Sequence, residues 1–176
     1  MSIIHKHSGF SMVEVMIAVF VLAIGLLGVA GLQLSSIKNN HTAYVRTQAI
    51  SLASNLADRM RANVGGSLAG NYLGNIALNS TGTTQNCALG YSTATPNVCT
   101  ASQLAADDLF RWFELAKAGV PQTSASITCT TPAGVLITAN GTPCPITSKH
   151  TITITWSEQA GTAGLVSKST SLEFQP

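Results

Sequence analysis

The sequence predicts an α+β protein in which a long N-terminal helix packs against an antiparallel sheet, with a second short helix beside it. Three observations lead to this prediction. An uncharged apolar run lies near the N-terminus, an amphipathic helical pattern follows it, and alternating β-branched residues fill the C-terminal third. A chain of 176 residues is long enough for one such domain and its core.

The composition excludes two broad classes of protein. Only 9% of the residues are charged and the formal net charge is +2, whereas an average soluble domain has about 25% charged residues. Too few basic side chains are present to neutralise a row of phosphates, so direct nucleic-acid binding is not expected. Intrinsic disorder is not expected either, because 45% of the residues are hydrophobic.

The first element is an apolar helix that is long enough to cross a membrane. The 23 residues between Glu14 and Lys38 carry no charge. As a helix they span about 35 Å, against about 30 Å for a hydrocarbon core. An ordinary signal peptide has an apolar stretch of only about 7–15 residues before a small-residue cleavage site. Glu14 is a candidate functional residue, because a carboxylate in an apolar setting is costly unless it is paired or protonated.

The same helix is expected to continue as an amphipathic segment. One apolar stripe contains Val45, Ala49, Leu52, Leu56 and Met60. The helix should end near Asn63, before a pair of glycines. Within the apolar half, glycines recur at every third residue, at positions 25, 28 and 31. This spacing is typical of close packing between membrane helices, and it also allows local unwinding.

Residues 65–96 are rich in Gly, Asn, Ser and Thr, which predicts a long irregular connection. It should be anchored to the core by five larger side chains: Tyr72, Leu73, Ile76, Leu78 and Tyr91. Exposed connections of this kind often carry recognition, so a ligand-binding role for this one stays open.

A second helix is predicted over residues 100–118. Thr100 and Gln103 have the spacing of a capping box, and Gly119 provides the stop. Asp107 and Asp108 are expected to solvate the exposed part of this helix. Two aromatic residues, Trp112 and Phe113, are expected in the core.

The remaining third predicts about four short antiparallel strands. The pattern places strands at 126–130, 135–138 and 151–156, and a last strand that contains Val166, Leu172 and Phe174. A turn is expected at 139–141 and a loop at 157–164. The alternation in the third strand puts Ile152, Ile154 and Trp156 on its buried face.

Four cysteines allow three disulfide pairings. Bridges between nearest neighbours, Cys87–Cys99 and Cys129–Cys144, are preferred because each closes a loop in an irregular region. Each is worth about 3 kcal/mol in the chain-entropy model. The sequence contains no C-x-x-C spacing, so no metal site is expected.

Residues for catalysis are not apparent. Two histidines lie beyond the N-terminal segment: His41, expected on an exposed helix face, and His150, expected at a strand start. Neither belongs to a recognisable nucleophile–histidine arrangement, and no phosphate-binding loop or dinucleotide fingerprint occurs. The sequence therefore predicts a protein that is not an enzyme and needs no cofactor.

The stretch Ser8-Gly9-Phe10-Ser11-Met12-Val13-Glu14-Val15 resembles the class III signal of type IV pilins and pseudopilins. Ser11 and Met12 replace the more common Thr and Leu. The resemblance implies that a prepilin peptidase cuts after Gly9 and methylates Phe10. It divides the chain into a leader (1–9), a transmembrane and assembly half-helix (10–37) and a periplasmic head that includes the amphipathic half-helix (38–176).

The resemblance also gives Glu14 a role and implies a pilin fold. Glu14 would meet the charged amine of Phe10 on a neighbouring subunit and so set the register between subunits. Two further segments, 24–33 (IGLLGVAGLQ) and 56–63 (LADRMRAN), are similar to the PilV branch of the minor pilins.

A minor pilin of this kind is expected to reside in the bacterial inner membrane, with its head in the periplasm, and then to enter the pilus at or near the tip. The implied partners are other minor pilins, the major pilin, the inner-membrane assembly platform and a tip adhesin. Twitching motility, adhesion and DNA uptake would depend on it indirectly. Two alternatives stay open, namely a minor pseudopilin of type II secretion and an anchored pilin head that binds a ligand directly. An anchored periplasmic enzyme is the least favoured.

Overall fold

A computed structural model describes residues 9–77, 85, 87, 98–159 and 164–176. Its fold is α+β, as predicted. The helices are α1 (Met12–Ala62), α2 (Val64–Leu68) and α3 (Ala101–Gly119), and the strands are β1 (Gly74–Ile76), β2 (Ser124–Thr130), β3 (Leu136–Ile137), β4 (Lys149–Gln159) and β5 (Leu165–Phe174). The chain divides into two compact units, Met1–Thr42 and Ala43–Pro176.

Helix α1 is continuous and ends where the sequence predicted. Ser11 starts it by accepting hydrogen bonds from the N–H of Val13 at its side chain (3.3 Å) and from the N–H of Glu14 at its carbonyl (3.0 Å). In the second half of α1 one face is buried, at Val45, Ala49, Ala53, Leu56, Ala57 and Met60. The predicted stripe is therefore confirmed, with Leu52 half-buried beside it.

The connection after α1 is more ordered than predicted. Residues 64–68 form α2, which Asn63 caps by accepting a hydrogen bond from the N–H of Gly66 (3.2 Å), and residues 74–76 form β1. Gly66 lies so close to α3 that a Cβ there would stand 2.9 Å from the carbonyl oxygen of Ala101. The predicted anchors Tyr72 and Leu73 are buried.

A third predicted anchor of this connection also packs against the core. Ile76 is half-buried against the core. The other two predicted anchors, Leu78 and Tyr91, lie outside the described residues.

Helix α3 begins with the predicted capping box. The side chain of Thr100 accepts a hydrogen bond from the N–H of Gln103 (3.3 Å), and the side chain of Gln103 accepts one from the N–H of Thr100 (2.9 Å). Trp112 and Phe113 are buried, as predicted. The indole N–H of Trp112 donates a hydrogen bond of 2.7 Å to the carbonyl of Leu52, which ties α3 to α1.

The sheet is antiparallel and runs in the order β1-β2-β4-β5, with β3 also paired to β2. It has five strands where about four were predicted, because residues 74–76 pair with residues 125–127 of β2. Strand β4 continues through Gln159 along β5, so the prediction of a loop from residue 157 is wrong at that end. Strand β3 is shorter than predicted, with two residues.

The inward face of the sheet matches the alternation in the sequence. Ile152, Ile154 and Trp156 are buried on β4, as predicted. On β5 the inward positions include Val166, Leu172 and Phe174, of which Phe174 is buried. Both strands therefore contribute one apolar face to the core shared with α1 and α3.

The connection from β3 to β4 is held against the segment that follows α2. Gly70 has φ +74°, and a Cβ there would lie 2.0 Å from the carbonyl oxygen of Thr142. The carbonyl of Gly70 accepts a hydrogen bond from Gly141 (3.0 Å), and that of Leu68 accepts one from Cys144 (2.7 Å). This close approach places Cys144 in the interior beside β2.

Candidate functional site

The segment with the predicted processing residues lies just before α1, and it is exposed within the part of the chain that the structure describes. Gly9 and Phe10 precede the helix, and Phe10 is 85% exposed. A Cβ at Gly9 would meet no atom within 4 Å, and Gly9 is not among the residues with positive φ. No contact within the described chain therefore requires glycine at position 9.

Glu14 lies in the first turn of α1 and is exposed. A carboxylate there interacts favourably with the helix dipole. Among the residues that the structure describes, Glu14 forms no ion pair, whereas five ion pairs occur between other described residues.

The apolar half of α1 presents large side chains on every side. All residues from 12 to 44 are exposed. Within the described residues, α1 is the one helix that is long and apolar enough to cross a membrane, by length and composition. A Cβ at positions 25, 28 or 31 would meet nothing within 4 Å. These glycines cost about 1 kcal/mol each relative to alanine in a helix, and no contact among the described residues offsets this cost.

The predicted role of Asp107 and Asp108 as solvated surface residues is wrong. Asp107 is 1% exposed. It accepts hydrogen bonds from the side chain of Arg111 (2.7 Å) and from the N–H of Gln85 (2.8 Å). A buried carboxylate requires such partners, and the i,i+4 spacing on α3 brings Arg111 to it.

Asp108 belongs to a separate polar network between α1 and α3. It accepts hydrogen bonds from the hydroxyl of Tyr72 (2.7 Å) and from Nη1 of Arg59 (3.1 Å). The Tyr72 oxygen in turn accepts one from Asn63 (3.1 Å), whose amide also bonds to the carbonyl of Ala101 (2.8 Å). The two carboxylates therefore hold the head together, and neither is free for acid–base work.

The four cysteines form two disulfides in the structure. Cys87–Cys99 has a Cα–Cα distance of 5.7 Å, and Cys129–Cys144 one of 6.3 Å. These are the nearest-neighbour pairs that were preferred among the three possible pairings. The first ties the connection before α3 to the start of that helix, and the second ties β2 to the connection before β4.

The two histidines occupy different environments. His41 is exposed on α1. His150, the second residue of β4, is fully buried, and neither ring nitrogen has a hydrogen-bond partner among the described residues. Burial lowers the pKa of His150 below its usual value of 6.5, and the backbone of Ser67 opposes this shift more weakly without reaching hydrogen-bond geometry.

Sequence reasoning missed the burial of His150, although a signal was present. His150 continues the every-second-residue series of Ile152, Ile154 and Trp156. A predicted strand that began before residue 151 would therefore have placed His150 on the inward face. The Tyr72–Asp108 contact had no comparable signal, because its two residues are 36 positions apart in the chain.

Comparisons with known families match two adjacent segments. Residues 4–30 match the prokaryotic N-terminal methylation motif, and residues 31–110 match the Tt1218-like family, described as type IV pilin Tt1218. No curated protein and no solved structure matches the chain.

The first match covers Gly9, Phe10 and Glu14, and the second covers the amphipathic half of α1 and the first half of α3. The methylation motif and the apolar helix fit a membrane-anchored pilin that later enters a pilus. Type IV pilins form a structural family rather than an enzymatic one. The two matched segments, together with the long N-terminal helix on an antiparallel sheet, make this chain similar to the type IV pilins in sequence and in fold.

Proposed function

We propose that this protein is a minor type IV pilin of the PilV kind, which primes pilus assembly within a complex of minor pilins at the tip. One observation carries the proposal. Among the described residues, no contact requires the glycine at position 9, and the exposed apolar helix that follows it has in its first turn a carboxylate without an ion pair. Each of these features has a use in processing or in a filament.

Processing supplies the partner for Glu14. Cleavage of the bond between Gly9 and Phe10 creates a new amine at Phe10, which the peptidase then methylates. Filament assembly buries this amine and the carboxylate of Glu14 among apolar helices. An unpaired charge there is strongly destabilising, so subunits dock only in the register that joins the amine of one to the carboxylate of the next.

The apolar half of α1 serves in both settings. Before assembly it anchors the protein in the inner membrane, with the head in the periplasm, where two disulfides are compatible with an oxidising compartment. During assembly its exposed face packs against other pilins, and Gly25, Gly28 and Gly31 permit close helix approach. The platform and its ATPase supply the energy, and a tip adhesin is displayed on the resulting filament.

The test is deletion of the gene followed by complementation. Strains would express the wild type, Glu14→Ala, Glu14→Gln or the control Gln33→Ala, which removes a polar side chain from the same exposed helix. Piliation, twitching and type II secretion are scored in each strain. We expect only the wild type and Gln33→Ala to restore pili, since Glu14→Gln keeps the shape of the side chain and loses its charge.

Other outcomes would contradict the proposal in distinct ways. Normal pili with failed secretion would identify a minor pseudopilin of type II secretion. Normal pili and normal secretion, with ligand binding by the purified protein, would favour a ligand-binding head. Restoration of pili by Glu14→Gln would show that the charge does not set the register.

A further inference from the structure

Among the described residues, the interior around His150 contains polar atoms without hydrogen-bond partners. His150 is 0% exposed, and neither Nδ1 nor Nε2 forms a hydrogen bond within the described residues; the buried hydroxyl of Ser148 is also unpartnered. The ring of Phe174 packs beside the imidazole, with the ring centroids 5.7 Å apart. A buried unsatisfied polar group costs about 1–3 kcal/mol, so its presence requires an explanation.

The sheet register places sulfur beside this imidazole. Cys129 on β2 stands directly opposite His150 on β4, and opposed residues project to the same face of a sheet. Cys144 reaches the same point because its backbone N–H is held by the carbonyl of Leu68 (2.7 Å). All three residues are buried, and their potential ligand atoms lie within 4.8 Å of one another.

We propose that Cys129, Cys144 and His150 form a zinc-binding site when the disulfide between the two cysteines is reduced. Two thiolates and one imidazole are a known ligand set for Zn²⁺, with a water molecule in the fourth position. Zn–S bonds of about 2.3 Å and Zn–N bonds of about 2.0–2.1 Å require the two sulfur atoms to move apart once their covalent bond is broken. The imidazole of His150 lies within 4.8 Å of both sulfur atoms.

The disulfide is first reduced, and the two thiols then bind zinc. A dithiol reductant gives two electrons and two protons to the Cys129–Cys144 bond and becomes a disulfide itself. Zn²⁺ then displaces the two thiol protons to solvent, while the neutral imidazole contributes a lone pair and loses no proton. Oxidation and zinc binding are mutually exclusive, because both use the same two sulfur atoms.

A zinc ion at this site would cross-link the same two segments as the disulfide. In either state β2 is tied to the connection before β4, by a covalent bond or by a metal. The head would thus have a cross-link at this point before its cysteines are oxidised.

The second disulfide is a matched internal control. Cys87 and Cys99 also form a pair. Within residues 9–77, 85, 87, 98–159 and 164–176, however, the one group of three possible metal ligands is Cys129, Cys144 and His150. Reduction of both disulfides therefore creates two thiol pairs, of which one has a buried histidine beside it.

The experiment uses the full-length protein in detergent, reduced and kept free of oxygen. Co²⁺ alone, and then Zn²⁺ alone, is titrated into the wild type and three variants. These are Cys87→Ser/Cys99→Ser, Cys129→Ser/Cys144→Ser and His150→Gln. We expect one equivalent of Co²⁺ to give thiolate charge-transfer and tetrahedral d–d absorption in the wild type and in Cys87→Ser/Cys99→Ser. Zn²⁺ should displace it.

The other two variants define the site. Cys129→Ser/Cys144→Ser should lose the absorption, and His150→Gln, which keeps all four cysteines, should bind Zn²⁺ at least about tenfold more weakly. Alkylation followed by peptide mapping should show that Zn²⁺ protects Cys129 and Cys144 and leaves Cys87 and Cys99 reactive. The oxidised protein should bind neither metal.

Three results would overturn the inference. They are an absence of tetrahedral Co²⁺ absorption in the reduced wild type, unchanged Zn²⁺ affinity in His150→Gln, and equal protection of both cysteine pairs. Neither His150→Gln nor the alkylation map of the wild type involves a cysteine substitution. The test therefore does not depend on folding of the cysteine variants.

Discussion

The hydroxyl of Tyr72 donates a hydrogen bond of 2.7 Å to Oδ2 of Asp108 and thereby joins the segment after α2 to the middle of α3. The same carboxylate accepts a hydrogen bond from Arg59 of α1. Burial, reinforced by Asp108, raises the pKa of Tyr72 well above its usual value. The phenol therefore remains a donor throughout the working pH range, and one carboxylate links three segments of the head.

Removal of the Tyr72 hydroxyl should weaken this junction. Tyr72→Phe keeps the buried ring and deletes both the hydrogen bond donated to Asp108 and the one accepted from Asn63, so we expect a loss of about 2–4 kcal/mol in the free energy of unfolding. Urea denaturation of the full-length protein in detergent measures it. Tyr44→Phe removes a hydroxyl from an exposed side chain on α1, and this control should change stability by less than about 0.5 kcal/mol. Equal losses in the two variants would contradict the assignment.

Neutralising Asp107 should be more costly than neutralising an exposed aspartate. Asp107 and Arg111 form a buried ion pair, with side chains only 1% and 8% exposed. Asp107→Asn removes the negative charge that Arg111 contacts at 2.7 Å in the interior, and we expect a loss of about 3–5 kcal/mol. Asp58→Asn breaks the exposed pair with Arg61 and should cost about 0.5 kcal/mol or less. Thermal unfolding of both variants gives the comparison, and a small effect at Asp107 would show that the pair is not desolvated in solution.

Alanine at Gly70 should disturb the connection that positions Cys144. Its Cβ would fall 2.0 Å from the carbonyl oxygen of Thr142 at a φ of +74°, so the backbone must move. Gly134 has a similar φ of +81°, but a Cβ there meets nothing within 4 Å. We expect about 1 kcal/mol of destabilisation from backbone strain alone at Gly134, and about 3 kcal/mol or more at Gly70, where overpacking adds to it.

The readout is the midpoint of chemical unfolding for Gly70→Ala and Gly134→Ala, both with intact disulfides. Similar midpoints in the two variants would mean that the contact between Gly70 and Thr142 is absent in solution.

Stability of the oxidised protein should fall below about pH 6.5, the usual pKa of histidine. The pKa of His150 is lowered in the folded state, so between the two pKa values the unfolded chain binds a proton that the folded chain does not. The free energy of unfolding is then unaffected by this group at higher pH. It declines by up to about 1.4 kcal/mol per pH unit as the pH falls towards the folded-state pKa.

Unfolding measured from pH 8 to pH 5 tests this dependence. In His150→Gln the decline in the free energy of unfolding below about pH 6.5 should be smaller than in the wild type. In His41→Gln, which changes an exposed residue on α1, the decline should be the same as in the wild type. The same slope in the wild type and in His150→Gln would assign the effect to other groups.

The sequence alone was sufficient for features that depend on neighbouring residues. The apolar run, the stripe from Val45 to Met60, the Thr100–Gln103 cap and the alternation from Ile152 to Trp156 all appear in the structure as predicted. Helix and strand periodicity and capping are local, so a short window of sequence contains the information. The pilin-type motif is local as well, and the matched methylation segment includes it.

The tertiary structure decided which residues meet across distant segments. Strand β1 joins the sheet only because β2 offers an edge, and Asp107 is buried only because Arg111 and the connection before α3 cover it. Likewise, the register of β2 with β4 sets Cys129 opposite His150. Such pairings depend on how separate elements pack and in which register they align, and a shift of one residue would turn each side chain to the other face of the sheet.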